Sequence, residues 1–141
     1  MGDDALECAL RALRHRDRTE LEIGEHLRER GFSDDERVHA IDTLRRTGLV
    51  DDGRFAQGRA SSLVGRGAGN ALIRAKLSEA GVAHELVDDT LEAVEPEVTR
   101  ARRIVAGRGG SPKTARYLYG KGLSQDVISA VVAEGADDEL G

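Results

Sequence analysis

Leu27-Arg28-Glu29-Arg30-Gly31-Phe32-Ser33, Leu77-Ser78-Glu79-Ala80-Gly81-Val82-Ala83 and Leu118-Tyr119-Gly120-Lys121-Gly122-Leu123-Ser124 are three versions of one frame, Leu-x-x-x-Gly-apolar-small. In each, glycine suits the left-handed residue that ends a helix, and the apolar residue behind it packs back on the last turn. The small residue then opens the next helix. The three glycines lie 50 and then 41 positions apart, so the frame marks a tandem repeat whose third copy is shortened.

Working outward from these turns, helix signals divide the chain into about nine helices in three groups of three. The first helix begins at Ala5, with Leu6, Ala9, Leu10 and Leu13 at helical spacing. Thr19 with Glu22 and Ser33 with Glu36 form capping boxes for the second and third helices. Asp51 and Asp52 cap the fourth, Asn70 the fifth and Ser124 the ninth, while Pro96 and Pro112 sit in first turns, where a missing amide proton costs nothing. The expected units are residues 1–50, 51–95 and 96–135, followed by an acidic tail over 136–141 that reads as disordered.

Composition agrees with an all-α fold. The 141 residues are 39% hydrophobic but only 3% aromatic, so the core falls to Leu, Val, Ile and Ala, which suits helices better than sheets. Lone Cys8 allows no intrachain disulfide or thiolate cluster, and fits a reducing cytosol. The acidic start Met1-Gly2-Asp3-Asp4 is neither a secretory signal nor a presequence, and no apolar run approaches the roughly 20 residues that span a bilayer.

Catalytic constellations are thin. His15-Arg16-Asp17 spells the kinase catalytic triplet, but no glycine-rich phosphate loop precedes it. Gly65-Arg66-Gly67-Ala68-Gly69-Asn70 lacks the Gly-Lys-Ser/Thr ending of a phosphate cradle and follows a helix rather than a strand. His39 lies one turn from Asp35 and Glu36, yet an acidic first turn explains those carboxylates. Cys8 reads as a small core residue. No cofactor and no metal are expected.

Charge is more informative. The formal charge is −5, but between Glu97 and Asp126 there is no acid, while Arg100, Arg102, Arg103, Arg108, Lys113, Arg116 and Lys121 supply seven cations. Arg100 and Arg103, three apart on the seventh helix with Arg102 alongside, are expected to share a basic face for phosphates or an acidic protein patch. Three-helix units with a glycine turn resemble helix-turn-helix modules. Their last helices open acidic, with Ser33-Asp34-Asp35-Glu36 in one and Glu85, Asp88, Asp89 and Glu92 in another, which would repel a DNA backbone. Binding to a protein, or to a protein already coating DNA, fits better.

The run Gly48-Leu49-Val50-Asp51-Asp52-Gly53-Arg54-Phe55-Ala56, set between two three-helix units, resembles the signature of the RecX family. Arg18-Thr19-Glu20-Leu21 leading to Leu27 and Gly31-Phe32, and Ile73, Leu77 and Gly81-Val82, agree with it. The resemblance implies an elongated, curved array of tandem three-helix repeats. It further implies a cytoplasmic, non-enzymatic modulator that lies in the groove of the RecA filament on single-stranded DNA. There it restrains recombination, ATP hydrolysis and the co-protease activity behind the SOS response in DNA repair. It carries a basic contact of the second unit to Arg66 and Arg74, although Gly67-Ala68-Gly69-Asn70 stands where relatives are more basic. Within the motif, Asp51 and Asp52 are read as caps of the fourth helix, Arg54 as a surface or bridging residue and Phe55 as core. The chain is expected to be a monomer with no membrane role. Beside the filament, weak binding to single- or double-stranded DNA is expected; the alternative is a stand-alone DNA-binding protein using the basic 100–121 surface. A hydrolase or nucleotidyl enzyme is a third class.

Overall fold

The computed structural model describes the backbone of residues 4–140 and side chains from Asp4 to Ala136. Among these residues the regular structure is entirely helical: α1 (Ala5–His15), α2 (Glu20–Glu29), α3 (Asp34–Arg46), α4 (Asp52–Gly65), α5 (Asn70–Glu79), α6 (His84–Ala93), α7 (Glu97–Arg108), α8 (Pro112–Gly120) and α9 (Gln125–Leu140). Extensive helix packing occurs within α1–α3, within α4–α6 and within α7–α9. Each trio encloses its own apolar cluster, so the molecule is three small cores in series.

The repeated turn has a defined chemistry. Phe32 N–H donates to the Leu27 carbonyl at 3.2 Å and Gly31 N–H to the Arg28 carbonyl at 3.0 Å. Val82 with Leu77 and Gly81 with Ser78 repeat the pair, as do Leu123 with Leu118 and Gly122 with Tyr119. The conserved spacing of leucine and glycine in the frame is therefore the spacing of a double hydrogen bond that closes a helix. Leu44 and Gly48 end α3, and Leu63 and Gly67 end α4, by the same device.

Counting from the residue that precedes the first helix of each unit (Asp4, Asp51, Pro96) aligns the three cores. Ala9, Ala56 and Ala101 fall at one position, and all are fully buried. A small residue there lets the first helix lie close against its neighbours. In α1 the buried stripe is Ala5, Cys8, Ala9 and Ala12, while Leu6, Leu10 and Leu13 flank it partly buried.

Local expectations are corrected: Pro96 precedes α7 as its cap rather than sitting in its first turn. Gly69 rather than Asn70 precedes α5, without a side-chain cap. In the acidic segment from residue 136 the backbone continues α9 to Leu140; Gly141 lies outside the described residues. Gly135 does not end the helix but permits close packing: a β-carbon there would lie 2.4 Å from Val105 Cγ1, and one on Gly110 would lie 2.4 Å from Ala136 N. These two glycines seat α9 against α7 and the α7–α8 connection.

Candidate partner-binding surface

The units meet through one repeated junction. The start of the middle helix in one unit abuts the glycine turn of the next. At the first junction Thr19, fully buried, accepts the Glu22 N–H in its capping box and donates its hydroxyl to the Ala80 carbonyl at 2.5 Å. At the second, Gly69 N–H donates to the Lys121 carbonyl at 2.7 Å and Ala71 N–H to the Gly122 carbonyl at 3.2 Å. Ala80 and Lys121 hold the same place, one residue before the turn glycine.

A carboxylate locks each junction. Asp52, the first residue of α4, accepts the N–H of Glu20, the first residue of α2, at 2.9 Å. Glu97, the first residue of α7, accepts the N–H of Asn70, the first residue of α5, at 2.7 Å, and its other oxygen accepts Ser124 N–H at 2.7 Å. Asp51 does cap α4, accepting Arg54 N–H at 3.0 Å, but Asp52 serves the preceding unit instead, a role that local spacing does not encode. Arg54 donates to the carbonyls of Gly48 and Leu49 at 2.9 and 3.3 Å and so bridges the α3–α4 turn.

Arg100 is a correction of consequence. It does not join a basic face with Arg103, because it is fully buried and points into the second junction. Its guanidinium donates to the carbonyls of Glu95 (3.0 Å) and Ala68 (2.6 Å) and to Asn70 Oδ1. Burial pulls its pKa below the ordinary value, against the opposing pull of Glu97 and Glu95. With its donors used internally, Arg100 is unavailable to a partner. Phe55 holds the equivalent place at the first junction, half-buried against the second core.

The other cations divide in two. Arg102 pairs with Glu134 at 3.1 Å and Arg103 with Glu95 at 2.7 Å. Both pairs raise the arginine pKa and lower that of the carboxyl through their hydrogen bonds. Arg108, Lys113, Arg116 and Lys121 have no carboxylate partner among the described residues. Arg108 Cζ stacks 3.5 Å from the centroid of the Tyr117 ring and Lys121 Nζ lies 5.7 Å from it. Lys113 and Tyr117 on α8 and Lys121 at its C-cap, four apart, make one stripe and Arg116 borders it. In the second unit Arg74 is paired with Asp88 at 2.9 Å, while exposed Arg66 has no ion pair among the described residues.

A groove of about 550 Å³ at the first junction adds two cations the sequence reading passed over, Arg59 and Lys76, beside Phe55. The spacing Phe55, Arg59, Ser62, Arg66 along α4 was the available signal. Asp17 and Glu79 line the same groove, so its charge is balanced. Among the described residues no three His, Cys, Asp or Glu side chains gather as a metal site, and no helix is long and apolar enough to cross a membrane.

Comparison with known proteins places this architecture. Family models of the first and second three-helix domains of RecX match residues 5–44 and 51–91. The regulatory protein RecX of Halorhodospira halophila is 35% identical over 147 residues, covering 96% of this chain and 91% of its own.

The chain belongs to the RecX family.

The regulatory protein RecX of Mycolicibacterium vanbaalenii is 33% identical over 155 residues, covering 94% of this chain and 84% of its own. The fold matches the crystal structure of RecX from Lactobacillus salivarius with a TM-score of 0.80 at 21% identity, over 92% of this chain and 93% of that one. This is a family of regulatory proteins. The Asp-Asp-x-Arg-Phe-Ala run that resembles the RecX signature thus sits at the first junction, with Asp52 tying the units and Arg54 tying α3 to α4.

One consequence is measurable. Burial first, then the charges of Glu20 and Asp51, raise the Asp52 pKa above its ordinary value, against the lowering pull of the Glu20 N–H bond. A raised carboxyl favours the protonated folded state, so its contribution is greatest at low pH and is lost as pH rises through the folded-state value. Asp52→Asn keeps an acceptor for the Glu20 amide without the charge. Urea midpoints are expected to fall more between acidic and neutral pH in the parent than in this variant; parallel profiles would sink the assignment.

Proposed function

We propose that this RecX-family chain binds RecA filaments on single-stranded DNA and inhibits their recombinase, ATPase and co-protease activities without performing chemistry itself. The observation that carries the reading is the set of unpaired cations around Tyr117, presented by the last unit of a hydrogen-bonded array. Charges not engaged internally keep their long-range attraction for an acidic or phosphate-bearing surface. Because the units are joined through buried hydrogen bonds, contacts made by separate units on successive subunits add through effective concentration. The bridge restrains the filament by linking subunits. The protein acts in the cytoplasm as a monomer.

Direct DNA binding is the second reading, favoured by the Arg108–Tyr117 stack, since cation and aromatic together suit single strands. RecA ATPase on single-stranded DNA separates the two. Arg108→Glu with Lys121→Glu is expected to weaken inhibition about tenfold, whereas Arg102→Ala should change it little because Arg102 is held by Glu134. Strong, steeply salt-dependent binding to bare DNA with no effect on the ATPase would replace the filament reading with the second.

A further inference from the structure

The first unit carries a second surface of opposite character. A groove of about 810 Å³ runs between α2 and α3, lined by Leu21 and Val38 on either side with Ile41 and the small Gly24 between them. Leu21 is 49% exposed and Val38 68%, two of the four large apolar side chains that stand well out of the described surface. Apolar side chains concentrated in one concave place mark an interaction surface more often than scattered ones do.

The rim is acidic. Arg37 and Arg45, which line the groove, are tied to Asp34 and Glu20. Glu25 and Asp35, on opposite walls, have no ion pair among the described residues; Arg28 on α2 has none either, so the unpaired charge of these three is acidic by one. An apolar floor between two helices, with free carboxylates on both walls, matches the apolar stripe and basic flanks of an amphipathic helix, and repels an acidic one. The same acidic excess disfavours a nucleic acid.

We propose that the α2–α3 groove of the first unit docks a basic amphipathic helix of a protein partner. This site is separate from the cations of the third unit and does not depend on what they contact. The probe is a synthetic labelled peptide of about 16 residues, long enough to form a helix. It carries leucines at helical spacing and Lys and Arg flanks, and is matched by a version with Glu flanks. In anisotropy titrations the basic peptide should bind and the Glu version at least about tenfold more weakly. Val38→Asp should lower affinity by about tenfold or more with helical content unchanged, because the side chain is mostly exposed. Glu25→Lys with Asp35→Lys should invert the preference between peptides. The Arg108→Glu, Lys121→Glu protein should bind the basic peptide normally, so failure of the filament reading would leave this result standing. Equal binding of both peptides, binding of neither, or indifference to Val38→Asp would overturn the proposal. So would Leu21 and Val38 methyl signals that shift with protein concentration alone, since that would assign the groove to a second copy.

Discussion

Replacing Arg100 by leucine is expected to cost about 3 kcal/mol, the largest loss from any single arginine in the chain. Leucine fills part of the volume but leaves the carbonyls of Glu95 and Ala68 and the Asn70 side chain without the donor that now joins them. Unsatisfied buried acceptors cost roughly 1–3 kcal/mol apiece, tempered here because water can reach two of the three sites. At about 2–4 °C per kcal/mol for a chain of this size, the melting temperature should fall by roughly 10 °C. Since each unit has its own core, the loss should also uncouple the third unit, giving a broadened or two-step melt. Arg100→Lys should recover only part of the stability, because one ammonium cannot span three acceptors as a planar fork does. Arg102→Ala and Arg103→Ala should barely register, as exposed ion pairs contribute little. Calorimetry of the four variants checks the order; an Arg100→Leu protein as stable as Arg103→Ala would refute the clamp.

Gly69→Ala should be comparably damaging for a purely steric reason. Gly69 has φ −85° and ψ 172°, a conformation open to any residue, so its backbone gives no cause for glycine. A β-carbon there, however, would lie 2.3 Å from Gly122 C and O and from Leu123 N. These are backbone atoms, and no side chain can yield. The second junction must open, weakening the 2.7 Å bond from Gly69 to Lys121 and the 3.2 Å bond from Ala71 to Gly122. A loss of about 3 kcal/mol or more is expected in urea unfolding. Gly31→Ala provides the contrast: its φ is +88° but nothing lies within 4 Å of the new carbon. Only left-handed strain of about 1–2 kcal/mol remains. Among the described residues no other unit is seated on the turn of the first unit, whereas Gly69 abuts the turn of the third. Should Gly69→Ala cost no more than Gly31→Ala, the junction is not packed as described.

The helices and their stops were legible because they rest on neighbours in sequence. The Thr19–Glu22 and Ser33–Glu36 capping boxes form as their spacing predicts, and the Leu-x-x-x-Gly frame spells out the hydrogen bonds that end α2, α5 and α8. The charge cluster was legible only as a count. Arg100 and Arg103 are the same residue type on the same helix, three apart, and nothing local tells that one is clamped between units while the other meets Glu95 at the surface. The roles of Gly135 and Gly69 were hidden for a related reason. Glycine reads as a break, yet here both serve close approach, by α9 in one case and by the next turn in the other. The apolar groove was hidden too, since Leu21 and Val38 sit on stripes that equally describe a core.

By itself, then, the amino-acid sequence determined the helical class, the number and phasing of the units and the turns between them, along with the RecX signature. Those features depend on contacts within about one helical turn, whose geometry residue spacing specifies. Only the tertiary structure decided which polar side chains are spent inside the molecule. Asp52, Glu97 and Arg100 bond across separations of 27 to 32 positions at the junctions. Whether a charge is available to a partner depends on which groups folding brings beside it, and those groups are far away in the chain.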